Sequence, residues 1–377
     1  MSRSTITTAF ISIVSLLVLG GLFILTSASM ILGRTNFGDP YYYVKQQILK
    51  GLILGIVGFC LAFLIPYKKY KKLIPLFFIA SIILTILVFT PLGLEINNAR
   101  RWLELGFLSF QPAEFLKVCF ILYLSLWLSH KNQKEKNSIT TIIAFISMLA
   151  VIGAIMLLQH ATSSYLILAA SAGIVFFVSG VKLKNIFIFF LIIIVLLASF
   201  FIILKKVNPN DYRIQRIDRF ISFFQNQHNP EIKDAQDKNY QLTQSLMAIG
   251  SGGLKGVGFG NAVSKYNNYL PEPIGDSIFA IFAQEFGLIG CFILILLYLL
   301  LLLFGLKISL NTSDEFAKLA SFGIVSLILI QTFVHIGAIS GLLVLTGQPL
   351  PLISYGGTNL AIILTSLGIV ANISKNG

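Results

Sequence analysis

Long apolar stretches with almost no charge constrain this 377-residue chain more than any other feature. About 20 consecutive apolar residues are enough to cross a bilayer core as a helix. Ten stretches reach or approach that length: 7–30, 44–65, 73–93, 112–129, 139–158, 162–181, 185–204, 276–306, 316–345 and 354–373. Only 11% of the residues are charged, whereas soluble domains average about 25%. The sequence therefore predicts an all-α polytopic membrane protein, a single transmembrane domain over 1–377, and excludes a soluble enzyme or a disulfide-linked secreted domain.

The basic residues indicate the orientation of these spans, because cytoplasmic loops are enriched in Lys and Arg. An even number of spans puts both termini on one side. If that side is the cytoplasm, the inside segments carry 13 basic residues and the short outside loops carry 5. We therefore expect cytoplasmic termini and a large extracytoplasmic loop, 206–275, between the seventh and eighth spans. The net charge of +13 then reflects membrane orientation rather than nucleic-acid binding.

One pair of opposite charges lies within the apolar stretch 112–129. Glu114 and Lys117 are three residues apart, a spacing that places both on one face of a helix. Ionisable groups at membrane depth are costly and often functional. Two interpretations stay open: the pair neutralises itself inside the bilayer, or it forms a polar wall of a substrate cavity.

A second ionisable position precedes the eighth span. Asp276 follows Pro271, Pro273 and Gly275, which end any preceding helix. An Asp at this position is a favoured helix N-cap, and an ionised carboxylate is also the acceptor that a general base requires. Both interpretations stay open at this point. Glu285, nine residues further on, is expected to make a structural hydrogen bond with Gln284 as a neighbour.

Two of the predicted outside segments carry basic residues suited to an anion. Arg100 and Arg101 precede Trp102 and either anchor the chain at the membrane interface or bind phosphate oxygens with their guanidinium forks. The glycine-rich segment 250–260 has turns whose backbone N–H groups could cradle an anion, and Lys255 and Lys265 add positive charge there.

The other outside segments differ in their expected structure. Residues 240–249 are predicted to form a short amphipathic or re-entrant helix, and 206–238 a flexible polar loop. Pro349 and Pro351 make a continuous helix unfavourable over 346–358, and non-helical backbone at membrane depth survives where it lines a cavity. We expect that loop to wall the same outward cavity. His160 and His335 are interpreted as core histidines, and no ligand spacing indicates a metal site.

Several of these segments together resemble the SEDS family (shape, elongation, division and sporulation). The similar motifs, in order, are NARRW at 98–102, FQPAEFLK at 110–117, YQ at 240–241 with QSLMAIGSGGLKGVGFGN at 244–261, LPE at 270–272 followed by Asp276, IFA at 278–280, EFG at 285–287 and GQPLPLISYGG at 347–357. Segments around 39–42, 65–67, 89–93 and 371–374 favour the FtsW branch over the RodA branch. The chain departs from the family where Gln159-His160-Ala161 replaces the usual Gln-Pro-Asp.

The resemblance implies a peptidoglycan glycosyltransferase that polymerises lipid II at the outer face of the bacterial cytoplasmic membrane and, in the FtsW branch, acts during septal cell division. It implies a class B penicillin-binding protein transpeptidase and divisome proteins as partners. Asp276 matches the family's essential aspartate, and Glu114 and Lys117 match its intramembrane pair.

The implied reaction assigns a role to each candidate residue. Asp276 is expected to take the proton from a sugar hydroxyl, which attacks the anomeric carbon with inversion. Arg100, Arg101 and Lys117, with or without Mg²⁺ or Mn²⁺ held partly by the diphosphate, are expected to stabilise the leaving group. Three alternatives remain open: a lipid II flippase or transporter, a RodA-type elongation polymerase, and a scaffold that organises a partner enzyme.

Overall fold

The structure is a computed structural model that describes residues 2–96, 99–106, 108–182, 199, 204–208, 211–226, 240–266 and 269–377. Helices dominate it. They are α1 (Arg3–Phe37), α2 (Tyr42–Leu64), α3 (Tyr67–Leu87), α4 (Pro112–Ser129), α5 (Ile139–Leu158), α6 (Thr162–Val178), α7 (Tyr212–Asn226), α8 (Tyr240–Ser251), α9 (Ile278–Leu310), α10 (Glu315–Ile339) and α11 (Gly357–Asn376).

The predicted spans agree with these helices. Within the described residues, eight helices are long and apolar enough to cross a membrane, and the 17-residue α6 lies at the predicted sixth span. The predicted seventh span, 185–204, falls almost wholly outside the described residues. The chain is a multi-pass helical membrane protein. The ninth predicted span is too long, because α10 ends at Ile339 and an apolar but non-helical loop, 340–356, follows it.

Three helices form the centre of the bundle. The most apolar windows of α4, α10 and α11 are 78%, 67% and 72% buried, whereas those of α2 and α3 are 17% buried. The outer helices expose apolar side chains such as Leu61 and Leu76, which suits a lipid environment because lipid solvates them. The inner helices have little surface left for lipid, so the polar side chains they carry must find partners within the protein.

A small antiparallel sheet corrects the prediction of a purely helical chain. Its strands are β1 (Gly93–Ile96), β2 (Ala99–Leu105) and β3 (Leu108–Phe110), in the order β1-β2-β3. In β2, Leu103 is buried while the flanking Trp102 and Glu104 are more exposed, the alternation of a half-buried strand. Gly106, with φ of 65°, supplies the left-handed turn between β2 and β3.

Both chain termini lie at one end of the bundle, which we call the terminal end. Arg3 Nη1 donates to the carbonyl oxygen of Gly377 at 2.5 Å, and Arg3 Nη2 donates to that of Asn311 at 3.4 Å. The loops at this end are also linked by ion pairs, Lys71 with Asp314 and Lys136 with Glu315. This arrangement confirms that the chain begins and ends on the same side.

The opposite end, which we call the loop end, holds the sheet, α7, α8 and the loop 340–356. Their contacts join distant segments: the hydroxyl of Thr358 donates to the carbonyl of Ser109 at 2.8 Å, and the backbone N–H of Tyr355 donates to that of Ile274 at 2.9 Å. The prediction of a flexible loop over 206–238 is wrong for its described part, because Tyr212–Asn226 is helical. Residues 227–239 lie outside the described residues.

Candidate functional site

Asp276 lies in a tight turn just before α9. The turn is held by neighbours on both sides, since the hydroxyl of Ser354 donates to the carbonyl of Gly275 at 2.8 Å and the hydroxyl of Ser277 donates to that of Pro271 at 2.7 Å. The cap position of α9 is Ser277, and no side chain caps the helix there. Asp276 is therefore not an N-cap, and the capping interpretation is wrong. Within the described residues its carboxylate makes no hydrogen bond or ion pair.

The surroundings of Asp276 make its carboxyl a stronger base than usual. Burial, and after it the charge of Glu272, raise the pKa of Asp276 from 3.8 to about 6, against an opposing effect of Arg216 and Arg101. At pH 7 the group is still mostly ionised. A base is most effective when its pKa lies near the working pH, because it is then both deprotonated and able to hold a proton.

A cleft of about 780 Å³ opens beside this carboxylate, and we call it the Asp276 cavity. Its wall includes Leu345, Thr346, Gly347 and Gln348 from the loop 340–356, which confirms that this loop lines a cavity. Side chains of α9 and α10 fix the loop. They are Gln331, which donates to the carbonyl of Pro349 at 3.0 Å, Tyr298, which donates to that of Pro351, and His335, whose Nδ1 lies 2.6 Å from the carbonyl oxygen of Gln348.

Gly347 is a wall residue that lies close to the base. Its φ is +64°, and a Cβ added to it would lie 3.2 Å from Oδ2 of Asp276. A side chain at this position meets both a backbone conformation that costs about 1–2 kcal/mol and the carboxylate itself. Glycine is thus favoured here for two separate reasons.

Gly347→Ala is expected to lower turnover by roughly tenfold, because the added methyl displaces the Asp276 carboxylate. The measurement is the rate of the glycan polymerisation that the family resemblance implies, for the purified variant and for the control variant Gly38→Ala. Gly38 has a similar φ of +70°, but a Cβ added there would meet nothing within 4 Å, so it carries the backbone strain alone. Equal losses in the two variants would show that strain, and not contact with Asp276, causes the effect.

A second cleft of about 690 Å³ adjoins the first, and we call it the arginine cavity. Its wall holds Arg101 from β2, Arg213 and Arg216 from α7, and His160 from the turn between α5 and α6. Both cavities share Arg216, Leu345, Thr346 and Gln348. The two clefts are therefore neighbouring compartments of one polar site at the loop end.

Glu114 and Lys117 form a buried ion pair away from both cavities. Their charged atoms are 2.8 Å apart, and the side chains are 3% and 1% exposed. Gln331 Oε1 accepts from Lys117 Nζ at 2.8 Å, and Asn359 Nδ2 donates to Glu114 Oε2 at 2.6 Å. The pair thereby links α4, α10 and α11. Because Gln331 also holds the carbonyl of Pro349, this network supports the loop that walls the Asp276 cavity.

Lys265 lies in a second buried ion pair. Its Nζ is 3.0 Å from Glu285 Oε1 and 2.9 Å from the hydroxyl of Ser27. These contacts tie the segment after α8 to α9 and α1. The prediction that Glu285 bonds within a structural network is confirmed, although Gln284 bonds instead to Ser251 and Ser264.

The glycine-rich segment 250–260 does not present an anion cradle in its described contacts. Gly287, with φ of 62°, interrupts the helical geometry inside α9. The N–H groups of Val257 and Gly258 donate to the carbonyls of Gln284 and Glu285, both at 3.0 Å, and so replace bonds lost at the kink. These glycine-rich turns therefore complete a broken helix. Lys255 is exposed on them and lines neither cavity.

The structure separates the two adjacent arginines of β2. Arg101 enters the arginine cavity, whereas Arg100 is exposed and pairs with Glu95 at 3.0 Å. Sequence reasoning missed Arg213 and Arg216, and with them Gln348. A signal was available, since Arg213, Arg216 and Arg219 recur at every third residue, the spacing that puts side chains on one side of a helix.

The family is decided by a match over nearly the whole chain. A family model described as "Cell cycle protein", for FtsW, RodA and SpoVE, matches residues 7–377. The chain belongs to the FtsW/RodA/SpoVE family. This is the SEDS family that the motifs resemble, and Asp276, Glu114 and Lys117 all lie within the matched residues.

Individual members of the FtsW/RodA/SpoVE family are similar in sequence to this chain over nearly its whole length. "Probable peptidoglycan glycosyltransferase FtsW" of Geobacter sp. (strain M18) is 31% identical over 355 residues, covering 94% of this chain and 92% of the relative. "Stage V sporulation protein E" of Bacillus subtilis (strain 168) is 32% identical over 368 residues, covering 96% and 95%.

Solved structures of the family share the fold. One described as "Structural coordination of polymerization and crosslinking by a peptidoglycan synthase complex" has a TM-score of 0.77 at 25% identity and covers 97% of this chain and 96% of its own. The crystal structure of the Thermus thermophilus rod shape determining protein RodA has a TM-score of 0.65 at 23% identity, covering 97% and 95%. The second likeness concerns the fold alone.

Proposed function

We propose that this chain is a peptidoglycan glycosyltransferase that polymerises lipid II into glycan strands, in cell division. The observation that carries the proposal is the Asp276 carboxylate, which faces a cleft, has a pKa raised to about 6 and is flanked by arginines. Family membership favours this chemistry, because relatives of similar length bear the name peptidoglycan glycosyltransferase.

The reaction is a single displacement at the anomeric carbon of the donor. A sugar hydroxyl of the acceptor is a poor nucleophile until a base removes its proton. The Asp276 carboxylate takes that proton as the hydroxyl oxygen bonds to the anomeric carbon. The bond from that carbon to the diphosphate oxygen breaks, and its electron pair leaves with the lipid diphosphate. One displacement inverts the anomeric configuration, and no covalent intermediate with the protein forms.

The buried pair Glu114 and Lys117 acts in this mechanism as a positioning element. In the part of the chain that the structure describes it lines neither cavity, but through Gln331 it fixes the loop that carries Gly347. Glu114, Lys117, Lys255 and Lys265 are thus not assigned to direct substrate contact. Within the described residues, no cluster of three or more His, Cys, Asp or Glu is placed to hold a metal ion. No step here runs through a divalent cation.

The proposed location is the bacterial cytoplasmic membrane, with the loop end outside. The excess of Lys and Arg in the loops of the terminal end supports that orientation. The proposed partner is a class B penicillin-binding protein transpeptidase, together with divisome proteins. A solved neighbour described as a peptidoglycan synthase complex supports a partnership between polymerisation and crosslinking.

The experiment reconstitutes the purified chain in liposomes with fluorescently labelled lipid II, with and without the transpeptidase. Two readouts are taken from one sample: glycan chain length on a gel, and movement of the label across the bilayer. We expect chains to form, and more of them with the partner. Movement of the label without glycan formation would indicate that the protein is a transporter. If neither glycan formation nor movement of the label is seen, with or without the transpeptidase, the scaffold hypothesis would replace the proposal.

A further inference from the structure

His335 is a buried histidine of which only one ring nitrogen has a hydrogen-bond partner. Its side chain lies on α10, is 1% exposed and lines the Asp276 cavity. Nδ1 lies 2.6 Å from the carbonyl oxygen of Gln348, whereas Nε2 is buried and has no partner among the described residues. Buried polar atoms nearly always have a partner. The interpretation of His335 as a core histidine therefore explains Nδ1 and leaves Nε2 unexplained.

The contact with Gln348 decides which ring nitrogen carries the proton. A carbonyl oxygen only accepts hydrogen bonds, so Nδ1 is the donor in this contact. An ordinary histidine is mostly uncharged at pH 7, and in the neutral ring the second nitrogen has no hydrogen. Nε2 is therefore a hydrogen-bond acceptor.

The loop that His335 contacts is held from two helices, so the direction of the imidazole is fixed. The side-chain amide of Gln348 donates to the hydroxyl of Ser164 on α6 at 3.0 Å, while its backbone carbonyl accepts from His335 on α10. The two nitrogens of an imidazole face different directions, and Nε2 consequently points away from Gln348.

The imidazole lies close to the base of the proposed reaction. Gln348 directly follows Gly347, and a Cβ added to Gly347 would lie 3.2 Å from Oδ2 of Asp276. Consecutive Cα atoms are about 3.8 Å apart, so His335 and Asp276 border the same short stretch of the loop. Both side chains line the Asp276 cavity. A sugar that brings a hydroxyl to Asp276 is therefore near the imidazole as well.

An acceptor without a partner selects for a ligand that donates a hydrogen bond. Ionised phosphate and carboxylate oxygens have no hydrogen and cannot bond to Nε2. Sugar hydroxyls and amide N–H groups can. In the proposed reaction the molecule that carries such groups next to Asp276 is the acceptor sugar, because its hydroxyl is the one that loses a proton there.

We propose that Nε2 of His335 accepts a hydrogen bond from a hydroxyl or amide N–H group of the acceptor sugar and thereby orients its attacking hydroxyl toward Asp276. This inference rests on the proposed glycosyl transfer. His335 neither takes nor gives a proton in it, and Asp276 remains the base. A site built to bond to a substrate donor discriminates against an analogue that lacks it, because the buried acceptor is then left unpaired. His335 is thus a specificity-determining residue.

His335→Asn tests this role, because it removes Nε2 and keeps the contact with the loop. The amide nitrogen of asparagine takes the place of Nδ1 and still donates to Gln348, but no atom takes the place of Nε2. The full-length purified chain is assayed with labelled lipid II at a fixed concentration, and a lipid-free disaccharide is varied. That disaccharide has no diphosphate and acts only as an acceptor.

The expected result is a rise of about tenfold in the KM for the disaccharide, the usual effect of losing one buried hydrogen bond. We expect kcat and the pH dependence of the rate to stay close to those of the wild-type protein, because Asp276 is unchanged. His130→Asn is the matched control. His130 is exposed and lines neither cavity, so this variant is expected to keep the wild-type KM.

Acceptor analogues distinguish a bond to the sugar from a purely structural role. One analogue has the hydroxyl beside the attacking one replaced by hydrogen, and another has its amide nitrogen methylated. With the analogue that lacks the group bound to Nε2, the wild-type protein and His335→Asn are expected to give the same KM, because the bond is absent from both. An unchanged KM for the natural disaccharide, or a rise by the same factor for every acceptor, would overturn the proposal.

Calorimetry with the disaccharide separates this site from the proposed function, because it measures binding without turnover. A wild-type protein that forms no glycan but binds the disaccharide, and binds it more weakly in His335→Asn, would remove the function and leave the site. A wild-type protein that polymerises lipid II, with a His335→Asn variant of unchanged KM and affinity, would remove the site and leave the function.

Discussion

Asp276→Asn is expected to lower the rate of glycan polymerisation by about 10²–10⁴-fold, the usual contribution of a general base. Asparagine has the same shape but cannot accept a proton from the sugar hydroxyl. The measurement is the initial rate on labelled lipid II. Asp39→Asn is the matched control, because Asp39 is also a carboxylate at the loop end but pairs with Lys45 at 2.6 Å and lines neither cavity.

Asp276→Asn is expected to lower the polymerisation rate but to raise the stability of the fold at pH 7. The pKa of Asp276 is about 6 in the folded protein, against an ordinary value of 3.8, so the folded state favours the protonated form. The contribution of this group to stability is thus greatest at low pH and is lost as the pH rises to about 6, because ionisation is disfavoured in the fold. At pH 7 the Asp276→Asn variant is therefore expected to melt at a higher temperature than the wild-type protein.

A polymerisation rate of Asp276→Asn equal to that of the wild-type protein would contradict the assignment of Asp276 as the base.

Lys117→Met is expected to destabilise the protein by about 3–5 kcal/mol, the cost of leaving one partner of a buried ion pair uncompensated. Glu114 is 3% exposed, and among the described residues its carboxylate would keep only the hydrogen bond from Asn359. The measurement is thermal unfolding in detergent, with monodispersity on size exclusion as the test of folding. Lys45→Met, which breaks an exposed pair, is expected to cost less than about 1 kcal/mol.

The double variant Glu114→Gln with Lys117→Met distinguishes the two interpretations of the pair. If the pair is a self-neutralising structural link, removing both charges restores most of the stability lost in Lys117→Met, since no buried charge remains. If the pair instead binds substrate, the double variant regains its melting temperature but its affinity for lipid II stays low.

Local sequence pattern was sufficient for the spans and for several parts of the site. The apolar stretches predict helices because a bilayer core requires them, and Pro349 and Pro351 predict the non-helical loop because proline removes helical hydrogen bonds. Asp276 was identifiable because it stands between helix-breaking residues and a span. None of these predictions needs knowledge of distant contacts.

The remaining features depend on contacts between residues far apart in sequence. The glycines of 250–260 bond to α9 only because Gly287 breaks that helix, and the sequence shows those glycines without their partner. Arg100 and Arg101 point to opposite faces because successive residues of a strand alternate. The strand β2 is too short for that alternation to be recognised in the sequence. Arg213 and Arg216 gain a role only when α7 lies against the end of α5 and the loop after α10.

Proton transfer to an ionised carboxylate of raised pKa is the step on which the whole mechanism depends. The most direct test is the single-turnover rate of glycosidic bond formation by the wild-type protein between pH 5 and pH 8. We expect a constant rate above pH 7 and a fall through an apparent pKa of about 6, with the rate at pH 5 about tenfold below that at pH 7. A rate that stays constant down to pH 5 would contradict the role of Asp276 as the base.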